Sequence, residues 1–208
     1  MFKHVLSFAV LAFLFAGNNS CTNKQTIEDD AIDETVISSI RALGFNPNDA
    51  FETDGGYIVE GDIFLSHEDL HAHHDAQHLI VGNDEQYRTF NLVTGLPRTI
   101  TVSTSGNVNS NVSNAINAAI ARYNAENLAL TFQRVSSNGN IVIRIVNGGG
   151  YIASAGFPSG GNPYPEVKYN KQYQNYSSGF VTTVIAHEIG HCIGFRHTDY
   201  MNRSYSCG

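Results

Sequence analysis

The chain has 208 residues and a formal net charge of −7, and 42% of its residues are hydrophobic while 15% are charged. This composition provides enough apolar side chains for a folded core and excludes a disordered chain. The acidic balance argues against general nucleic-acid binding, which requires a basic surface, and three cysteines are too few for a disulfide-dense small fold or a four-cysteine zinc ribbon.

The first 21 residues have the pattern of an export signal, which predicts a bacterial protein that is either held in the cell envelope or secreted. Lys3 precedes an apolar stretch over residues 5–16, which has the length of a signal-peptide core and is too short to span a membrane. Cys21 resembles the lipidated cysteine of bacterial lipoproteins, although Asn18 stands where their signals carry leucine. A lipid anchor as the only membrane contact, free secretion and a buried N-terminal helix all stay open.

Export by either route leads to an oxidising compartment, in which cysteines form disulfides. If Cys21 is lipidated or removed with the signal, Cys192 and Cys207 are the cysteines that remain. We therefore predict a disulfide between Cys192 and Cys207 that closes a short loop.

The charges divide the chain after residue 85. Residues 22–85 hold 15 acidic residues and two basic ones, a net charge of −13, whereas residues 86–208 hold four acidic and nine basic residues, a net charge of +5. A charge difference of this size is typical of separate units.

The acidic part contains three predicted features. Apolar residues at helical spacing predict a helix over Asp33–Leu43, with Asp33 as its N-cap and Gly44 after its end. The stretch Tyr57–Leu65 predicts a short strand pair or hairpin. A polar connector rich in histidine then continues to about Glu85.

The second part predicts an α/β fold with a twisted mixed sheet and two long helices. Its first helix carries an apolar stripe, and its strands are rich in Val and Ile. The predicted order is strand Arg98–Ser103, helix Asn109–Asn127, strands Leu128–Val135 and Asn140–Val146, a loop over Gly148–Pro165, a short strand Glu166–Asn170 and a helix Ser178–Ile193.

The last predicted helix carries the motif H-E-x-x-H-x-x-G-x-x-H. His187 and His191 are four residues apart, so both imidazoles lie on one helix face and can reach one ion. Gly194 is needed to turn the chain so that His197 can return as the third nitrogen ligand. Three histidines with an open position are a catalytic zinc arrangement, and Glu188 is placed to take a proton from water there. The alternative is a buried helix whose histidines are satisfied by hydrogen bonds.

A second H-E-x-x-H lies at His67–His71, but Gln77 stands where a third ligand would be. Its surroundings are charged rather than apolar. We interpret it, together with His73, His74 and His78, as part of the solvated connector, with an accessory metal site as the alternative.

The segment HEIGHCIGFRHTDY resembles the dual-action HEIGH metallopeptidases, and its eleven-residue motif is the metzincin signature. The resemblance implies a metzincin-like domain over residues 86–208 that hydrolyses peptide bonds. It implies one zinc ion on His187, His191 and His197, with Glu188 as the general base. A requirement for calcium does not follow from it. The implied substrate is a peptide or protein held in extended form along an antiparallel edge strand, for which Glu166–Asn170 is the predicted counterpart.

Metzincins also carry a methionine turn and a lower subdomain after the third histidine. Met201 follows His197 by only four residues, which makes it a poor candidate for that turn. We therefore expect this sequence to lack the lower part of the cleft, either as a fragment or as an unusually short variant.

Val59–Ile63 is similar to the F-x-G-D segment in propeptides of the astacin peptidases, in which the aspartate blocks the metal. The resemblance implies that Asp62 keeps the enzyme latent and that residues 22–85 are a propeptide, which would make the chain's own propeptide a binding partner. An ordinary tight turn is the alternative, because Gly-Asp is common in turns.

Together these features predict an exported zinc endopeptidase that is synthesised as a latent precursor. A non-catalytic cell-surface binding protein that keeps the zinc site is the second hypothesis. A structural lipoprotein is the third, although it leaves the zinc motif without a purpose.

Overall fold

The structure is a computed structural model that describes residues 32–71 and 91–197. The predicted signal peptide with Cys21, most of the histidine-rich connector with His73, His74, Gln77 and His78, and the C-terminal residues Met201 and Cys207 lie outside the described ranges. The described elements are α1 (Glu34–Ala42), β1 (Phe51–Thr53), β2 (Gly56–Val59), β3 (Ile63–Ser66), α2 (His67–His71), β4 (Arg98–Ser105), α3 (Ser110–Ala125), β5 (Leu130–Arg134), β6 (Ile141–Val146), β7 (Ala153–Ala155), β8 (Glu166–Asn170) and α4 (Ser178–Ile193).

All eight of these strands form one mixed sheet in the order β1-β2-β3-β7-β8-β6-β4-β5. β8, β6, β4 and β5 run parallel to one another. β7 pairs antiparallel with β8, and on its other side it pairs with β3, with Ile63 opposite Ala155. The strands of the acidic part therefore continue the sheet of the second part, and they join it at β7.

The main core lies where α3 and α4 cover the sheet. Its buried residues extend from Val93 to Ile193 and come from both helices and from the central strands. Ile100, Ile116, Ile143 and Ile189 are fully buried in it. This core holds α4, the helix that carries the zinc motif, against the sheet.

Residues 32–71, which we call the N-terminal segment, have a small hydrophobic cluster of their own. It is formed by Ile40, Phe45, Val59, Ile63 and Leu65, and Phe157 of the second part packs against it. The segment therefore has its own buried apolar surface and shares only part of it with the second part.

The structure confirms the predicted α/β class with a mixed sheet and two long helices. The predicted first helix is α1, and Asp33 caps it by accepting a hydrogen bond from the Thr35 N–H at 2.7 Å. The predicted hairpin is β2–β3. No helix in the described ranges combines the length and the apolar character needed to cross a lipid bilayer.

Two predictions about strands were wrong. β7 lies inside the predicted loop over Gly148–Pro165. Glu166–Asn170 is not an edge strand, because it is β8, which is paired on one side with β6 and on the other with β7. In the second part, the strand that pairs antiparallel with β8 is β7, whose small side chains gave no strand signal.

Candidate metal centre

Local sequence sets the direction of the chain at both ends of α4. The Ser177 side chain accepts a hydrogen bond from the Phe180 N–H and starts the helix. Gly194 ends it with φ 113°, in the left-handed region that glycine adopts without strain. The Phe195 N–H then donates to the Gly190 carbonyl at 2.9 Å, and this turn brings His197 back toward the helix.

The three histidines of the motif converge on one point. Nε2 of His187 lies 3.0 Å from Nε2 of His191 and 3.0 Å from Nε2 of His197. His191 is buried, whereas the side chain of His187 is 43% exposed. The group is therefore accessible to solvent on the side of His187.

The fourth member of the group comes from the N-terminal segment. Asp62, in the turn between β2 and β3, places Oδ2 at 3.1 Å from Nε2 of His187 and Oδ1 at 3.1 Å from Nε2 of His197. Oδ1 is also 3.6 Å from Nε2 of His191. Burial alone would raise the pKa of Asp62, but the three imidazoles outweigh it and hold the pKa well below its usual range.

This donor set fits a metal ion. Nδ1 of His191 lies 2.8 Å from the Phe195 carbonyl, which can only accept, so the ring proton is on Nδ1 and Nε2 presents its lone pair to the site. Nitrogen lone pairs that point at one another across 3.0 Å repel unless a cation lies among them. One ligand atom from each of the four residues lies within 4.8 Å of the others. Three imidazoles and one carboxylate supply four donors of the kind that zinc accepts.

Two residues that the sequence analysis missed lie directly behind His197. The carboxylate of Glu60 is 3.4 Å from Nδ1 of His197 and 3.8 Å from the guanidinium of Arg196. Arg196 also donates to the Gly44 carbonyl at 2.8 Å and lies 3.9 Å from the ring centre of Phe45. The one sequence feature that could have indicated Glu60 was its charge, which stands near Asp62 in an otherwise apolar hairpin.

The carboxylates also act on the pKa of His197. Burial lowers this pKa, but Asp62 and Glu60 outweigh burial and raise it to about 9. Two carboxylates of the N-terminal segment therefore act on the same imidazole, one at each ring nitrogen.

Glu188, the predicted general base, is 1% exposed. Its Oε2 is buried and has no hydrogen-bond donor among the described residues. Burial raises its pKa well above the usual value, and the negative charge of Asp62 raises it further. A carboxyl group with a raised pKa is suited to proton transfer near neutral pH.

A cavity of about 360 Å³ opens beside the histidines. Its walls come from the turn before β3, the start of β7 and one face of α4. The residues that line it are Gly61, Asp62, Ile152, Ala153, Thr183, Val184, His187 and Glu188. Glu188 and Asp62 therefore reach one space, and that space is large enough for a side chain.

Cys192 has a free thiol among the described residues, and the Cys192–Cys207 disulfide stays a prediction because Cys207 lies outside them. Cys192 is fully buried on the core face of α4, so its sulfur points away from solvent. The second H-E-x-x-H forms the short exposed helix α2. Its histidines are not part of the group around Asp62, which is the metal-binding group found among the residues described.

Comparisons with known proteins identify the family of this chain. A family model described as dual-action HEIGH metallo-peptidase matches residues 57–208, well over half of the chain. No curated protein matches this chain. Two solved structures of myroilysin are similar, both with a TM-score of 0.41. The first is 18% identical, and its match covers 50% of this chain and 52% of the myroilysin chain. The second is 19% identical, and its match covers 53% of this chain and 49% of the myroilysin chain. The chain thus spans about half the length of these myroilysin chains.

Proposed function

This chain belongs to the dual-action HEIGH metallopeptidases, and from that premise we propose that it is a zinc endopeptidase held latent by its own N-terminal segment. The observation that carries the proposal is the meeting of three imidazole nitrogens of the motif with the carboxylate of Asp62. In this arrangement the histidines of the motif supply the metal ligands. Asp62 of the N-terminal segment occupies the position that water and the substrate carbonyl need for the reaction.

The reaction we propose is hydrolysis of a peptide bond. His187, His191 and His197 would hold the zinc ion. When bound, zinc lowers the pKa of a water molecule to near 7 and polarises the carbonyl of the scissile bond. Glu188 takes the proton from the water and passes it to the leaving amine.

Latency follows from where Asp62 lies. Its two oxygens are within 3.1–3.6 Å of all three imidazole nitrogens, so water and a substrate carbonyl have no room there. The charge of Asp62 also contributes to the raised pKa of Glu188. Displacement of Asp62 would open the site and remove its contribution to the raised pKa of Glu188, so a larger fraction of Glu188 would be ionised and able to take a proton.

The strand β7 and the neighbouring cavity would bind the substrate. One edge of β7 is paired with β8, and the other carries Ile63 of β3. When the N-terminal segment leaves, that edge is free to pair with an extended peptide by backbone hydrogen bonds. The cavity beside His187, with Ile152, Ala153 and Val184 in its wall, would take an apolar substrate side chain.

We further propose that the protein is exported, with residues 1–21 as the signal peptide and lipidation of Cys21 as the anchored form. Mass spectrometry of the protein from the cell envelope and from the culture medium distinguishes the anchored form from the secreted form. A diacylglyceryl mass on Cys21 identifies the lipoprotein, and a cleaved chain without it identifies the secreted protein.

The proposal is tested by zinc content and casein cleavage for the wild type, Glu188→Ala and Asp62→Ala. Each protein is assayed whole and after an added protease has cut it within residues 72–90. We expect zinc in all three, cleavage by the activated wild type but not by Glu188→Ala, and higher activity of uncut Asp62→Ala than of the uncut wild type. Zinc without cleavage in any form would instead identify a binding protein. Absence of zinc from the wild type would contradict the metal site.

A further inference from the structure

The turn that carries Asp62 places a second carboxylate beside the metal-binding group. Glu60 is 4% exposed, and its side chain lies between two basic residues of the second part. Oε2 is 3.4 Å from Nδ1 of His197, and Oε1 is 3.8 Å from the guanidinium of Arg196. The Asn46 N–H donates to Oε1 at 3.1 Å. The charge of Glu60 is therefore enclosed rather than solvated.

The backbone at Glu60 indicates that the side chain is needed there. Its φ is 53°, in the left-handed region that a residue with a side chain adopts only at a cost in free energy. Glycine would adopt this conformation without that cost, as Gly61 does next to it at φ 92°. A buried carboxylate on an unfavourable backbone points to a function for the carboxylate.

The outer partners of two metal-binding histidines have different origins. Nδ1 of His191 is hydrogen-bonded to the Phe195 carbonyl, which belongs to the same turn of chain. Nδ1 of His197 instead faces Glu60, which belongs to the N-terminal segment. An outer carboxylate fixes the orientation of a ligating imidazole and makes it a stronger ligand. The orientation of the third ligand thus depends on the segment that blocks the site.

We infer that Glu60 is a positioning residue of the metal centre, which holds His197 through Nδ1 while Asp62 faces the metal directly. The inference rests on the proposed function, because it takes the N-terminal segment to be seated in the site. The segment then contributes to the metal centre twice, at the ion and behind one of its ligands. Because such coupling is reciprocal, bound metal and seated segment strengthen each other.

The test is the dissociation constant for Zn²⁺, measured on the full chain by competition with a fluorescent chelator. Glu60→Gln keeps the size of the side chain and an oxygen for the Asn46 N–H, but it removes the charge. We expect it to weaken Zn²⁺ binding about tenfold or more. Glu52→Gln, on the exposed face of β1, is the matched control and should change binding less than twofold. Equal affinity in Glu60→Gln and the control would overturn the inference.

The Asp62→Ala background separates an effect through His197 from an effect through the turn. If Glu60 acts through His197, Glu60→Gln weakens Zn²⁺ binding by the same factor in that background. If Glu60 only shapes the turn that presents Asp62, its effect disappears there and the inference fails. Co²⁺ in place of Zn²⁺ gives a second measurement, because a reoriented His197 shifts its ligand-field absorption bands.

The variant Glu60→Gly tests whether Glu60 only stabilises the fold and has no role at the metal centre. This variant removes the carboxylate and relaxes the backbone, so we expect weaker Zn²⁺ binding with an unchanged or higher melting temperature of the metal-free chain. A lower melting temperature with unchanged affinity would overturn the inference. A wild type that binds no Zn²⁺ would contradict the proposed function itself, whereas a wild type that binds Zn²⁺ with unaffected Glu60 variants contradicts only the role of Glu60.

Discussion

Gly194 determines at the residue scale whether the third histidine reaches the site. We predict that Gly194→Ala destabilises the chain by about 1–2 kcal/mol, because alanine must adopt the left-handed conformation at φ 113°. If the chain relieves this strain by changing its direction, His197 moves away and Zn²⁺ binding weakens as well. Urea unfolding and the chelator competition measure the two effects.

Gly179 in the first turn of the same helix provides the matched control. A Cβ atom there would meet no atom within 4 Å, and its φ is not in the left-handed region. Gly179→Ala should leave Zn²⁺ binding unchanged and should not lower stability, because alanine is the better helix former. Equal losses in the two variants would show that the left-handed turn at Gly194 has no special role.

Cys192 should be chemically inert in the folded chain. The side chain is fully buried, and burial, followed by the charge of Glu188, raises the pKa of its thiol well above the usual value. Since only the thiolate reacts, we expect iodoacetamide to leave Cys192 unmodified in native protein and to modify it in urea. Peptide mapping by mass spectrometry measures this. Modification of native Cys192 at the rate found in urea would contradict the buried position.

The residues of the site differ in how far the sequence could predict them. His187, Glu188 and His191 share one helix, so their relative positions follow from local spacing. Glu60 and Arg196 meet only because the chain folds back on itself, and neither residue type nor spacing indicates such a contact. Asp62 was predicted only through the resemblance of its turn to a known propeptide segment.

At the scale of elements, the contact between α3 and α4 supports the site from behind. The Tyr123 hydroxyl donates to the Ala186 carbonyl at 2.8 Å, directly before His187. We predict that Tyr123→Phe lowers the free energy of unfolding by about 1 kcal/mol, the usual net value of one hydrogen bond. Tyr176→Phe is the control, because Tyr176 is 52% exposed. Urea unfolding of both variants checks this, and equal stabilities would contradict a role for the hydrogen bond.

The elements that sequence predicted well are those with a local signal. α3 and α4 carry enough apolar residues at regular spacing to be identified alone, and β4 and β6 are rich in the β-branched residues Thr, Val and Ile. β7 consists of Ala-Ser-Ala and is a strand only because β8 and β3 supply partners for its backbone. A strand that forms because neighbouring strands supply its hydrogen-bond partners has no recognisable strand pattern in its own sequence.

At the scale of the whole molecule, the N-terminal segment and the second part have separate hydrophobic cores and meet through the sheet and the metal-binding group. The main core draws its buried residues from position 93 onward, and the segment has its own cluster. Contacts between the two parts include the β3–β7 pairing, the stacking of Phe45 on Phe157 at 5.8 Å, the contacts of Phe64 with Tyr164 and Lys168, and the charged groups around Arg196 and the histidines. Loss of the segment would therefore leave the main core intact, as the proposed activation requires.

Metal removal should weaken the whole molecule because the metal-binding group draws its donors from both parts of the chain. We predict that free Zn²⁺ at one hundred times its dissociation constant stabilises the fold by about 2.7 kcal/mol relative to the metal-free chain. For a chain of this size that is roughly 5–10 °C in melting temperature. Calorimetry with and without a chelator measures the shift in melting temperature.

Asp62→Ala should reduce this shift, since it removes the donor of the N-terminal segment, and His191→Ala should abolish it. A melting temperature of the wild type that a chelator leaves unchanged would show that no metal joins the two parts.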